Sequence, residues 1–293
     1  WILHQSEFYC GWWVGLILNN SALQETPTAV WPAGAKLGEG PVWVDAENAI
    51  YWVDIKGCMI HRLSWPDAKR RSWKTHTQIG ALHPTSGGRF IGAFADGIYY
   101  VRLEKGQESA HTELIVKPEE VYPNNRFNDG KIGPDGDFWA GSMDDGETNP
   151  TGHLYKISRD GQFNVLDKDY VITNGPAFSP DGKTLYHTDT LSRVIYAFDL
   201  SLSGTVSAKR PFIRIPPENG YPDGMCVDEA GCLWVCHWGG WGITRYSPDG
   251  EKIGRIEMPV ANVTSCTFGG IGKNILFITT ATKGLTKIER SRQ

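Results

Sequence analysis

The sequence predicts an all-β chain folded as a six-bladed β-propeller, and three observations carry that prediction. A turn followed by an aromatic or aliphatic strand recurs six times, anchored at Tyr51, Phe90, Phe138, Leu185, Leu233 and Leu276, with steps of 39, 48, 47, 48 and 43 residues. A period in the forties accommodates one four-stranded unit, and six such units can close into a ring that protects its sheet edges. The 293 residues include 34 glycines and 12 tryptophans, which suits many short strands joined by tight turns better than long helices.

Taken in order, the copies are VDAENAIYWVDI (44–55), HPTSGGRFIGAF (83–94), GPDGDFWAGSM (133–143), SPDGKTLYHTDT (179–190), DEAGCLWVCHW (228–238) and FGGIGKNILFITT (268–280). Each sets Asp-Gly, Gly-Gly or a similar pair between two strand-like runs, as a β-hairpin requires where the backbone turns through positive φ. Third strands are supplied by runs such as GIYYV (97–101), HLYKI (153–157), VIYAF (194–198) and ITRY (243–246). The Pro-Asp-Gly turns at 134–136, 180–182 and 248–250 lack the alternating oxygen ligands and final Glu of a calcium loop. Residues 1–24 are set apart as an N-terminal extension of unknown role, and residues 25–293 form the propeller domain.

A formal net charge of -4 gives no basic footprint for nucleic acid or an anionic membrane surface. The six cysteines form no C-x-x-C pair, so buried reduced thiols are expected rather than a zinc site or a disulfide framework. The apolar run from Trp12 to Leu18 is too short to span a membrane and lacks the flanks of a secretory signal. A cytoplasmic monomer is expected on these grounds. No nucleophile elbow, P-loop or dinucleotide fingerprint is present.

Four polar segments interrupt the hairpin pattern, each just before the first strand of a repeat: LGEGP (37–41), RFNDG (126–130), TNGP (173–176) and YPDG (221–224). Measured at Glu39, Asn128, Asn174 and Asp223, their separations are 89, 46 and 49 residues, which correspond to two repeats, one and one. The strand opening each blade of a propeller is its innermost, so these residues should meet at one end of the central channel. Glu39, Asn174 and Asp223 together offer two carboxylates and an amide oxygen, a hard donor set for one divalent cation on the axis. Without a cation, converging carboxylates would repel and raise one another's pKa values. Arg126 and Asn128 are placed to hydrogen-bond a small polar ligand, and Asp129 to turn back onto its own loop. His83, His187 and His237 lie in or beside strands of three blades but too far along their hairpins for a three-histidine metal site.

On LGEGPVW, NNRFNDGK, ITNGPAFSPDGKTLYHTDT, YPDGMCVDEAGCLWV and NVTSCTFGG, the sequence resembles the SMP-30/gluconolactonase/LRE family, which includes regucalcin and bacterial aldonolactonases, from about Thr26 to Leu285. It looks most like the bacterial sugar lactonases, such as xylonolactonases and arabinonolactonases. The resemblance implies a metal-dependent hydrolase that opens a sugar lactone to its aldonic acid, with the metal on Glu39, Asn174 and Asp223 polarising the carbonyl. Asp223 would also act as general acid and base, and Arg126 and Asn128 would hold substrate hydroxyls. A further acidic position of the family falls near Gly146, so its neighbour Glu147 is added to the substrate shell. The metal could be Ca²⁺, Mn²⁺, Fe²⁺, Mg²⁺ or Zn²⁺. The alternative is a propeller that binds metal or ligand without turnover. The family's longer tail is absent, so the last blade must close either with a short strand at residues 285–289 or with the stretch from Phe8 to Leu18.

Overall fold

The computed structural model describes residues 27–286, together with the backbone of residues 14–17. Its strands fall into six antiparallel four-stranded sheets. Five are built from consecutive strands, opened by Gly38–Val44, Ile79–Pro84, Asn125–Ile132, Thr173–Phe178 and Tyr221–Val227. The sixth, opened by Val263–Gly269 and Ile275–Thr280, is completed by Val14–Ile17 and Thr28–Ala29. Successive opening strands touch in turn and the sixth returns to the first, so the fold is an all-β propeller with these strands around its centre.

Local chemistry explains the hairpins. In the Pro-Asp-Gly turns Gly136 and Gly182 take φ of 82° and 67°, a region closed to most side chains, and the Gly182 N–H donates to the Ser179 carbonyl at 2.9 Å. Burial then falls outward through each sheet. The second strands Ala49–Asp54, Phe90–Phe94 and Phe138–Asp144 are buried throughout, whereas outer strands such as Arg70–Lys74 and Val206–Arg214 are mostly exposed. Adjacent sheets share apolar layers, including one of Tyr51, Ile60, Leu82, Phe90 and Phe94 between the first and second.

The closing sheet uses an N-terminal strand. Val14–Ile17 runs antiparallel to Ile275–Thr280, pairing Val14 with Ile278 and Ile17 with Ile275. The free edge of Ile275–Thr280 would otherwise leave backbone groups unpaired, and a segment set apart in the sequence as an extension supplies their partners. The rest of residues 1–24, and residues 287–289 of the other candidate closing strand, lie outside the described residues.

Of the six cysteines, Cys58, Cys226, Cys232, Cys236 and Cys266 are described and all are free thiols; the last four are buried. Cys10 lies outside the described residues. Among the described residues no helix is long and apolar enough to cross a membrane.

Candidate active site

Every opening strand carries a break in register near its start. The shifts fall between Glu39 and Val42, Ile79 and Ala81, Phe127 and Asp129, Asn174 and Ala177, Pro222 and Met225, and Val263 and Ser265. An extra residue at such a bulge is freed from the ladder and re-aims its side chain. Glycines make the bulges possible: Gly40 sits at φ 52°, and a Cβ on Gly224 would lie 2.3 Å from the Ser265 hydroxyl oxygen. The polar Glu-Gly, Asn-Gly and Asp-Gly pairs read in the sequence are therefore the points at which the inner strands leave regular pairing.

One cavity of about 310 Å³ gathers the products of these breaks. Glu39, Asn174, Asp223, Arg126, Asn128 and Glu147, the six residues given metal or substrate roles in the sequence, line it. Leu37, Met143, Ile172, Trp238, Thr190 and Lys283 contribute further wall.

Glu39 and Asp223 are almost wholly buried, at 3% and 5% exposure. Among the described residues each carboxylate accepts one hydrogen bond, from the N–H of the glycine that follows it: Gly40 at 3.2 Å and Gly224 at 3.1 Å. Burial first, and then the charges of Asp223 and Asp129, drive the Glu39 carboxyl well above its ordinary range, against the pull of Gly40 and Arg126. Burial and the Asp129 charge do the same to Asp223, opposed by Gly224, Lys283 and Arg126. Asp129 itself is raised to about 6 by burial, although it accepts the Gly130 and Gly175 N–H groups at 2.7 and 2.9 Å. It thus braces its own loop and the next opening strand.

The neutral and cationic members form a connected network. Asn174 Nδ2 donates to Thr190 Oγ1 at 2.9 Å, which fixes the amide so that its Oδ1 accepts from Asn128 Nδ2 at 3.2 Å. Asn128 Oδ1 accepts from Arg126 Nη1 at 2.7 Å, and Arg126 Nε donates to Asp145 Oδ1 at 2.6 Å. Nη2 of Arg126 has no partner among the described residues. Burial alone would raise Asp145, but hydrogen bonds and charge from Lys56 and Arg126 bring it down to about 2. Arg126 is therefore a cation held in place before any ligand arrives.

Asparagine aside, no group of three or more His, Cys, Asp or Glu side chains among the described residues is arranged to hold a metal. His187 is fully buried in the second strand of its sheet, stacked edge-on to Tyr170 at 4.9 Å, and His237 donates to or accepts from Thr244 Oγ1 at 2.8 Å.

Lys283 and Thr190 were not anticipated. Both follow the second strand of a hairpin, and antiparallel pairing returns the end of that strand to the level at which the first began. The hairpin pattern therefore held a signal for them, in the last residue of HTDT and the residues just beyond FITT.

A model of the SMP-30/gluconolactonase/LRE-like region matches residues 37–282. The chain belongs to this family. It is 35% identical over 263 residues to the putative sugar lactone lactonase YvrE of Bacillus subtilis, covering 88% of each chain. Its identity to the pentonolactonase XacC of Haloferax volcanii is 33% over 258 residues, covering 87% of this chain and 85% of that one. The crystal structure of a calcium-binding protein, regucalcin, from Agrobacterium tumefaciens superposes with a TM-score of 0.81 at 28% identity, over 87% of this chain and 85% of the other.

Proposed function

We propose that this protein hydrolyses a sugar lactone to its aldonic acid with the help of one divalent cation bound by Glu39, Asn174 and Asp223. The observation that carries the reading is the meeting of those three donors with Arg126 and Asn128 in one cavity, from four different sheets. The donor set fits a hard cation: among the described residues the two buried carboxylates have a single backbone donor each, and a positive ion would offset the burial and repulsion that raise their pKa values. When bound, such an ion supplies a Lewis acid for the lactone carbonyl and for negative charge developing on its oxygen. The named lactonases among the relatives support the chemistry, and the calcium-binding relative supports a divalent ion.

Within that frame Asp223 takes the proton from the attacking water and returns it to the ring oxygen as the ester bond breaks. Arg126 and Asn128 hold the sugar hydroxyls, with the Arg126–Asp145 pair fixing the guanidinium plane. A pentonolactone or hexonolactone suits a cavity of about 310 Å³. Free buried thiols fit a reducing cytoplasmic setting, and a complete cavity within one chain fits a monomer.

The test is acid release from a panel of aldonolactones, with the protein stripped by chelator and reloaded singly with Ca²⁺, Mn²⁺, Fe²⁺, Mg²⁺ or Zn²⁺. Turnover restored by a metal supports the reading. Tight metal binding with no turnover of any lactone would instead favour a non-catalytic binding propeller.

A further inference from the structure

The cavity wall holds one charged pair that the reading above does not use. Lys283 Nζ and the Glu147 carboxylate form an ion pair between residues 136 positions apart in the chain, with side chains 33% and 38% exposed. Each partner is presented by an anchored backbone. Glu147 sits in the left-handed region at φ 57°, inside a loop wound around Asp144. The Asp144 carboxylate accepts from the Thr148 N–H at 3.1 Å, the Thr148 hydroxyl at 2.9 Å and the Asn149 N–H at 2.9 Å. On the other side, the Lys283 N–H donates to the Lys36 carbonyl at 2.9 Å, and the Lys283 carbonyl accepts from Asn262 Nδ2 at 2.9 Å. Two long side chains are thus brought together at the cavity by segments that are already ordered, so little further entropy is lost when a ligand engages them.

We propose that Lys283, acting with Glu147, is a specificity-determining residue that selects lactones bearing a vicinal diol away from the ester. This inference rests on the lactone-hydrolase reading and adds to it the residue that reads the hydroxyls away from the ester. A diol matches an ion pair because one hydroxyl donates to the carboxylate while its neighbour accepts from the ammonium. A lactone without those hydroxyls leaves the pair partly desolvated and unanswered, and one with a distal carboxylate reaches Lys283 only by displacing Glu147, whose charge then stands beside it without a partner. Rejection of both follows from unpaired polar groups and like charge rather than from shape.

The experiment compares kcat/KM for three lactones of equal ring size: polyhydroxylated, deoxygenated away from the ester, and carrying a distal carboxylate. The wild type should favour the polyhydroxylated lactone over the deoxygenated one by about a hundredfold. Lys283→Met should cut that ratio at least tenfold through a higher KM for the polyhydroxylated lactone, and Lys283→Arg should restore part of it. Saturable one-to-one metal binding by Lys283→Met in calorimetry shows that the metal donors remain assembled, even where loss of the Lys283 charge beside Asp223 shifts the affinity. Should Lys283→Met not fold, Glu147→Gln supplies the second arm and should raise the relative rate on the carboxylate-bearing lactone several-fold. An active wild type whose ratios are unchanged in the folded variants overturns the role of Lys283 alone. A wild type that turns over none of the three with any metal overturns the hydrolase reading, and this inference with it.

Discussion

The first, fourth and fifth sheets differ from the second and sixth at one shared point, the break in register near the start of the opening strand. In the former the break presents Glu39, Asn174 and Asp223 to the cavity. In the second it falls on Gly80, where a Cβ would lie 2.6 Å from the carbonyl oxygens of Phe127 and Asn128. In the sixth it falls on Thr264, whose hydroxyl donates to the Gly38 carbonyl at 2.5 Å and contacts Thr279 Oγ1 at 2.9 Å. The backbone device is repeated around the ring, and the side chain decides whether a position binds or merely closes the wall. The spacing of 89 residues between Glu39 and Asn128 skips a repeat because Gly80 has no side chain to offer.

The comparison can be broken most severely at Asp223. Asp223→Asn keeps size and hydrogen-bonding capacity but removes the base, so lactone turnover should fall about a hundredfold or more while the thermal melt stays cooperative. Turnover near that of the parent in the folded variant would remove Asp223 from the reaction.

Acid tests a second contrast, between the charged cavity and the neutral buried histidines. Burial foremost holds His187 and His237 at about 3. The unfolded chain, with ordinary histidines near 6.5, takes up protons first as pH falls, so stability declines from about pH 6.5 towards 3. Burial holds His61 at about 4 and His83 at about 3 in the same way, so the four histidines together give a slope of up to about 5.4 kcal/mol per pH unit. Urea midpoints of the metal-loaded protein should drop steeply between pH 6 and 4.5, and His237→Gln should flatten that fall by about a quarter. A midpoint independent of pH would show that these histidines are not kept neutral.

Glu39→Gln and Asn174→Ala sharpen the contrast between binding and closing positions. Each should weaken metal affinity by about tenfold or more, because each removes a donor from a set with open places for water. Metal titrations unchanged in both variants would place the ion elsewhere. Arg126→Ala should raise KM about tenfold with metal affinity close to the parent, since a guanidinium has no lone pair to give a cation. Steady-state kinetics at saturating metal decide this, and unchanged KM and kcat would return Arg126 to a purely structural part. The smallest effect belongs to the closing position: Thr264→Val should cost about 1 kcal/mol through the lost hydrogen bonds and leave metal affinity as it was. A marked loss of metal affinity there would erase the distinction between the two kinds of sheet.

The sequence by itself determined the period, the hairpins and the residues that interrupt them, because turn chemistry and strand alternation act over a few residues and repeat visibly along the chain. From the repeat phase alone Glu39, Asn128, Asn174 and Asp223 could be brought to one end of one channel. Arg126 followed as the neighbour of Asn128, and Glu147 came only through family resemblance. Tertiary structure alone decided that a strand at Val14–Ile17 completes the sixth sheet, since pairing across the whole chain leaves no periodic trace in so short a segment. It also decided that Asp145 clamps Arg126 and that Lys283 meets Glu147. Such contacts join loops through the closure of the ring, and the physics that selects them, complementary charge held in register by anchored backbones, acts between residues far apart in sequence.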